Sequence, residues 1–281
     1  MNRKELPTIP ADREDDLHNL EIINSADLIL FMAGNQFMVM EDLIEAFQEK
    51  HPDVIQIYYQ TLPPGLQLKQ ILAGGAVFRG KFLGVYPDVY TSVSENAMDM
   101  LSEAGHIEKG EYRQYLRNRL TLMVSPGNPK NIRWVRDLAR DDVRVSQPDP
   151  DNEDIGLYIQ DMYAAAGGEE LVYRIMEEKR AEATTMYTVV HHRETPLRIA
   201  KKTVDAGPVW STEVMHAQAR GLAFDVVEPG EDLDQRDKVR YYACSLKYAP
   251  NPDNAWKFLE FLTTPEAATV YRRYGFLPNG E

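Results

Sequence analysis

Residues 27–32 (Asp-Leu-Ile-Leu-Phe-Met) form a short apolar run with no polar alternation, the pattern of a strand buried on both faces. Ala33-Gly34-Asn35-Gln36 follows as a loop. Leu43, Ile44 and Phe47 then recur at helical spacing over residues 40–50, until His51-Pro52 stops the helix. Residues 54–59 read as a second strand. Leu62-Pro63-Pro64-Gly65 is a turn, and 66–72 a second helix. A third strand at 87–91 leads to a helix at 94–105 that ends on glycine. Strand, loop and helix repeat in that order, which predicts an α/β fold with a mainly parallel sheet.

The same pattern continues downstream. The spacing predicts strands at 119–125, 143–145, 207–210, 225–228 and 239–246. It predicts helices at 134–138, 156–166, 170–179, 196–204 and 213–220, with Gly167-Gly168 ending the second of these runs and separating it from the third. At 281 residues the chain is longer than a typical single domain. The strands at 119–125 and 239–246 read as two crossings between lobes. Lobe one then comprises 20–118 with 245–281, lobe two comprises 119–244, and 1–19 is a polar, flexible tail. Ligands of open α/β sheets bind beyond the carboxyl ends of the strands. The loops at 33–36, 59–65, 149–156, 191–195 and 210–213 are therefore the candidate ligand loops.

Composition narrows the function. With 43% apolar residues the chain is not disordered. A net charge of −13 repels phosphates and disfavours nucleic acid. Its bland reading is a solvated acidic surface. The single cysteine, Cys244, excludes a disulfide framework and reads as a small buried hydrophobe. No apolar run approaches the ~20 residues of a membrane span. The first residues carry charge without an apolar stretch behind them, so no signal peptide is read. A mature extracytoplasmic protein whose leader has been removed and a cytosolic protein both remain open. No nucleophile elbow, HExxH, P-loop or dinucleotide fingerprint is present, so the reading is a binding protein rather than an enzyme, with no cofactor required.

Three segments carry a family resemblance: Pro87-Asp88-Val89-Tyr90 with residues 94–98, residues 207–214 (Gly-Pro-Val-Trp-Ser-Thr-Glu-Val), and the closing stretch from Asn254 to Tyr274-Gly275-Phe276-Leu277-Pro278. Together they resemble the molybdate- and tungstate-binding family of extracytoplasmic solute-binding proteins. The resemblance implies a two-lobed type II periplasmic-binding fold with hinge closure on an oxyanion. It also implies a monomer that delivers its ligand to an ABC-transporter permease; a sensor partner is the other reading.

Oxyanion sites use backbone N–H groups and Ser or Thr hydroxyls. Against the family pattern, Asn35 stands at the first-loop serine, with Gln36 beside it. Thr61 is the one hydroxyl kept in the second loop, and Trp210 replaces the family's tyrosine. Tungstate binders of the archaeal type place an acidic residue before the glycine that opens a lobe-two helix. Here Glu153 and Asp154 precede Gly156, and ordinary acidic residues at a helix N-terminus are the alternative. His191-His192-Arg193-Glu194-Thr195-Pro196 has no counterpart in ordinary molybdate binders. His191, His192 and Glu194 suit a transition-metal ion, and Arg193 or a protonated histidine suits an oxyanion. Thr195-Pro196 also reads as a plain helix cap. The bound ligand is thus an oxyanion first, and a metal cation in the alternative.

Overall fold

A computed structural model of the protein describes residues 6–150, 153–188 and 194–279. In chain order the strands of the first part are β1 (Thr8–Ile9), β2 (Leu17–His18), β3 (Leu28–Phe31), β4 (Ile57–Gln60), β5 (Ala76–Phe78), β6 (Lys81–Leu83), β7 (Val89–Ser92) and β8 (Arg113–Arg117). The helices between them are α1 (Met40–Lys50), α2 (Pro64–Ala73) and α3 (Glu95–Glu103). The middle part contributes β9 (Leu120–Val124), β10 (Val145–Gln147), α4 (Asp154–Tyr173), α5 (Lys179–Ala181), β11 (Thr185–Tyr187), α6 (Glu194–Ala200), β12 (Ala206–Trp210), α7 (Ser211–Ala219) and β13 (Asp225–Val227). The chain ends with β14 (Arg240–Ser245), α8 (Pro252–Phe261), α9 (Pro265–Arg273) and β15 (Leu277–Pro278).

These elements group into two compact units. Unit 1 holds Met1–Leu116, Arg240–Arg273 and Leu277–Glu281; unit 2 holds Arg117–Val239 and Tyr274–Phe276. The sequence placed the passages at 118/119 and 244/245. The two strands read as crossings, β9 and β14, each lie inside one sheet, because each is laddered to partners of its own unit. The chain instead passes between units at 116/117 and 239/240, with an excursion at Tyr274–Phe276.

Unit 1 is built on a seven-stranded sheet in the order β15-β8-β14-β7-β3-β4-β2. β3 is parallel to β4 and to β7, while β14 and β2 join antiparallel. All four residues of β3 are buried, as its unbroken apolar run requires. On one face Phe31, Tyr90, Met98 and Leu101 share a core with Tyr242 and Cys244. Phe47 of α1 packs edge-on against Phe258 and Phe261 of α8. Cys244 is fully buried, and burial pushes its thiol up to about 12, so it behaves as the hydrophobe its position predicts.

Unit 2 has five strands in the order β11-β10-β12-β9-β13. β10 is parallel to β11 and β12, and β9 is antiparallel to β12 and β13. The fold is therefore α/β with mixed sheets flanked by helices. One local expectation is corrected. The tail predicted to run to residue 19 is ordered from β1 onward: Thr8–Ile9 pairs with β5, and Ile9 and Leu17 are buried. Gly167-Gly168 separates two helical runs, as the sequence predicts. α4 spans both, from Asp154 to Tyr173, with non-helical backbone at Gly168 (φ 73°, ψ −177°) between them, and the second run continues as a π-turn at Arg174–Glu178. Only glycine meets that positive φ without strain, and the kink lets Leu171 pack against Gly167.

One buried carboxylate fastens three distant segments of unit 1. Asp88, fully buried, accepts the Ile29 amide at 2.7 Å, the Asn251 amide at 2.6 Å and Asn251 Nδ2 at 3.0 Å. An Asp88→Ala variant would orphan these donors in the core. It should lose about 3 kcal/mol or more of stability, read as a lowered urea midpoint at unchanged slope.

Candidate functional site

In unit 1 the loop after β3 is a single 3-10 turn, Gly34–Gln36, and all three residues are buried. Four side chains hold it from behind. Thr91, at the end of β7, accepts the Ala33 amide on Oγ1 at 2.8 Å. Gln36 is fully buried; its Nε2 donates to the Tyr115 hydroxyl at 2.8 Å and to Thr91 at 3.3 Å. Its Oε1 accepts from Tyr271 at 3.0 Å, with the Tyr115 hydroxyl also at 3.0 Å. Asn35 Nδ2 donates to the Tyr241 hydroxyl. The amide of Gln36 is thus spent on the interior. Gln36, named from sequence as a ligand contact, uses its side chain to anchor the loop.

The loop after β4 lies against this turn. A Cβ on Gly34 would stand 3.0 Å from the Thr61 carbonyl oxygen and 3.3 Å from that of Leu62, so the close approach needs glycine. Thr61 is 2% exposed, and its hydroxyl has no partner among the described residues. Among the same residues Asn35 Oδ1 is equally buried and unpartnered. Among the described residues, no acceptor takes the amides of Gly34 and Asn35. Buried polar groups are normally paired, so this patch keeps hydrogen-bonding capacity that the fold does not consume. Asn35 and Thr61, both named from sequence, are thereby brought together. Thr91 and the three tyrosines were missed. Thr91 could have been found, since it ends the third parallel strand, whereas the tyrosines come from segments 79 to 235 residues away.

In unit 2 the candidate residues fall into two groups. The first surrounds α6. Thr195 is buried, and its hydroxyl pairs with Ser146 Oγ at 2.8 Å. Glu194 makes an ion pair with Arg198 one turn later at 2.9 Å. Arg198, missed in the sequence, also donates to Ser146 Oγ and to the carbonyls of Met186 and Tyr187, lacing the ends of β10 and β11. Gly207 permits this, since a Cβ there would meet the Ser146 carbonyl at 2.6 Å. His191, His192 and Arg193 lie outside the described residues.

The second group is acidic. Glu153, at the N-cap of α4, is buried and accepts a hydrogen bond from the Thr188 hydroxyl. Glu213, in the first turn of α7, is also buried, and its carboxyl is pushed well above the ordinary value, by burial first and by the nearby Glu153 second. Asp154 is partly exposed as a residue, yet its carboxyl is desolvated and pushed up to about 6. Gly156 is obligatory at this corner, because a Cβ would stand 2.4 Å from Pro150 Cα. Trp210, at the end of β12, is 1% exposed and packs on Tyr158 at 5.8 Å. Glu213 was missed although it lies in the loop region 210–213. Among the described residues, no set of three His, Cys, Asp or Glu side chains forms a metal site.

The acidic corner generates a pH prediction. A carboxyl raised from 3.8 to about 6 favours its protonated form in the fold. That contribution is fully present below pH ~4 and is lost as the pH rises through 6. Between pH 4 and 7 the wild-type protein should therefore lose stability relative to Asp154→Asn, by on the order of 2–3 kcal/mol in urea titrations. A constant difference across that range would place the Asp154 carboxyl in water.

Residues 28–277 match the family described as bacterial extracellular solute-binding protein. A sulfate-binding protein of Synechococcus elongatus is 24% identical over 216 residues, 73% of this chain and 61% of its own length, so the match spans less than two thirds of that relative. The putative ABC transporter substrate-binding lipoprotein YvgL of Bacillus subtilis is 20% identical over 89% of this chain and 85% of its own length. Among solved structures, the periplasmic molybdate-binding protein of Azotobacter vinelandii has a TM-score of 0.70 at 17% identity, covering 89% of this chain and 98% of the other. The sulfate-binding protein SubI of Mycobacterium tuberculosis scores 0.71 at 18% identity, covering 90% and 86%. Iron-bound HitA of Pseudomonas aeruginosa scores 0.68 at 16%, covering 90% and 87%. These likenesses show a fold of the type II periplasmic-binding class. The family match extends over most of the sequence, and the chain belongs to the bacterial extracellular solute-binding proteins.

Proposed function

We propose that this chain binds a small inorganic oxyanion, molybdate or tungstate first and sulfate next, and hands it to an ABC-transporter permease outside the cytoplasm. The observation that carries the reading is the patch in unit 1. The buried Thr61 hydroxyl and the amides of Gly34 and Asn35 stand unused around one backbone close approach. Neutral donors of this kind bind a fully desolvated anion by dipoles, without neutralising its charge. The second Nδ2 proton of Asn35 adds a donor. Its Oδ1 suits a proton carried by the ligand or a bridging water. Relatives named for sulfate and molybdate, and one named as an ABC transporter lipoprotein, are in keeping with this. The reading involves no chemical step on the ligand. Among the described residues no helix is long and apolar enough to cross a membrane, so transport would require a partner.

A second reading is favoured by the buried acids of unit 2. A metal cation would relieve the repulsion between Glu153 and Glu213 and convert both to their charged forms. His191, His192 and Glu194 are the further ligands that the sequence offers for it.

Thermal unfolding of metal-stripped protein separates the two. An oxyanion at a hundred times its dissociation constant should add ~2.7 kcal/mol. Thr61→Val should weaken that oxyanion about tenfold, the loss of one hydrogen bond of ~1.4 kcal/mol. Stabilisation by zinc or ferric iron alone, lost in Glu153→Gln with Glu213→Gln, would replace the oxyanion reading with the cation one.

A further inference from the structure

Three tyrosines behind the 33–36 loop share two properties. Each spends its hydroxyl on that loop: Tyr241 on Asn35, and Tyr115 and Tyr271 on Gln36. Each also stands beside a place where the chain changes unit. Tyr115 is the second-last residue before the passage at 116/117, and Tyr241 is the second after the passage at 239/240. Tyr271 is three residues ahead of the excursion at Tyr274–Phe276. The first two passages run side by side, for β8 neighbours β14 and the Asn118 amide donates to the Val239 carbonyl at 3.3 Å.

The rings make one packed cluster. Tyr115 lies 6.3 Å from Tyr241 and 6.0 Å from Tyr271, centroid to centroid. All three are at most 2% exposed. Phenylalanine would fill the same space without bringing a hydroxyl into the core, where an unpaired hydroxyl is costly. The hydroxyls are therefore there for what they bond. Burial holds the phenols of Tyr115 and Tyr271 above their ordinary range, so both stay protonated donors at all physiological pH. The loop itself is one 3-10 turn, and among the described residues its side chains bond, besides these tyrosines, only Thr91.

We infer that Tyr115, Tyr241 and Tyr271 are positioning residues, which set the Asn35–Gln36 turn and make its order depend on the order of the inter-unit passages. Their effect on a ligand rests on the oxyanion reading of that loop, but the coupling itself does not. The stiff aromatic rings carry the dependence: a turn held by Asn35 and Gln36 moves only if hydroxyls anchored at β8, β14 and α9 move with it.

Hydrogen exchange on ligand-free protein tests the coupling directly. In Tyr241→Phe and in Tyr271→Phe, the amides of Gln36 and Phe37 should exchange at least tenfold faster, together with those at 117–118 and 239–241. The amides of β10 and β12 in unit 2 should be unchanged. Acceleration confined to the substituted residue's own element, or spread evenly over both units, would overturn the inference. A binding arm uses molybdate and sulfate as probes. Tyr241→Phe should weaken the bound anion about tenfold in the wild-type background and have no further effect in Asn35→Ala. Additive losses would show that Tyr241 does not act through Asn35, and would overturn its positioning role. If wild-type protein binds neither anion, the oxyanion reading falls, and the exchange arm alone decides the coupling.

Discussion

Unit 1 is discontinuous in sequence, and its integrity depends on how the returning chain is fastened. Asp88 does this with one carboxylate. Its two oxygens gather the amide of Ile29 at the start of β3 and both nitrogens of Asn251 at the start of α8, while its own carbonyl takes the Leu246 amide. A carboxyl that deep is costly, and burial pushes it up despite the hydrogen bonds. The fold accepts that cost because three backbone segments more than 160 residues apart at the extreme would otherwise present unpaired donors to the core. β3 can then lie between β4 and β7, and the loop that follows β3 has a fixed origin.

Much of this architecture was legible in the sequence. Apolar runs such as 28–31 and 206–210 are long enough to identify central strands, and the alternation with helical spacing identified the α/β class. The elements that escaped are short and at edges. β1, β2, β5, β6 and β11 contain two or three residues each, too few for a period to show. The β5–β6 hairpin turns on Arg79-Gly80, both at positive φ, where the arginine gives no warning. Gly167-Gly168 was legible as a helix boundary because glycine meets the positive φ found at Gly168. What the sequence could not show is that Leu171 packs back on Gly167.

The site was half legible for a related reason. Asn35 and Thr61 are found from strand order alone, because the loops after two adjacent parallel strands must meet. Whether a loop side chain faces outward or into the core is decided by distant partners. Gln36 differs from Asn35 by one methylene and one position, yet Tyr115 and Tyr271 draw it entirely inward. Likewise nothing in the segment around Glu213 indicates that its carboxyl lies near Glu153, 60 residues before it and on another helix.

The brief excursion of Tyr274–Phe276 has a consequence for how the protein can be divided. These residues group with unit 2 although α9 before them and β15 after them belong to unit 1. Gly275 lies so close to α7 that a Cβ would stand 2.9 Å from Met215 Cγ. A gene fragment ending at Val239 would therefore yield a second unit missing a stitch from its own surface. A fragment joining 1–116 to 240–281 would carry three residues with nowhere to pack. The covalent thread passes between the units four times. Neither can be excised cleanly, and domain exchange between relatives has to move the thread as a whole.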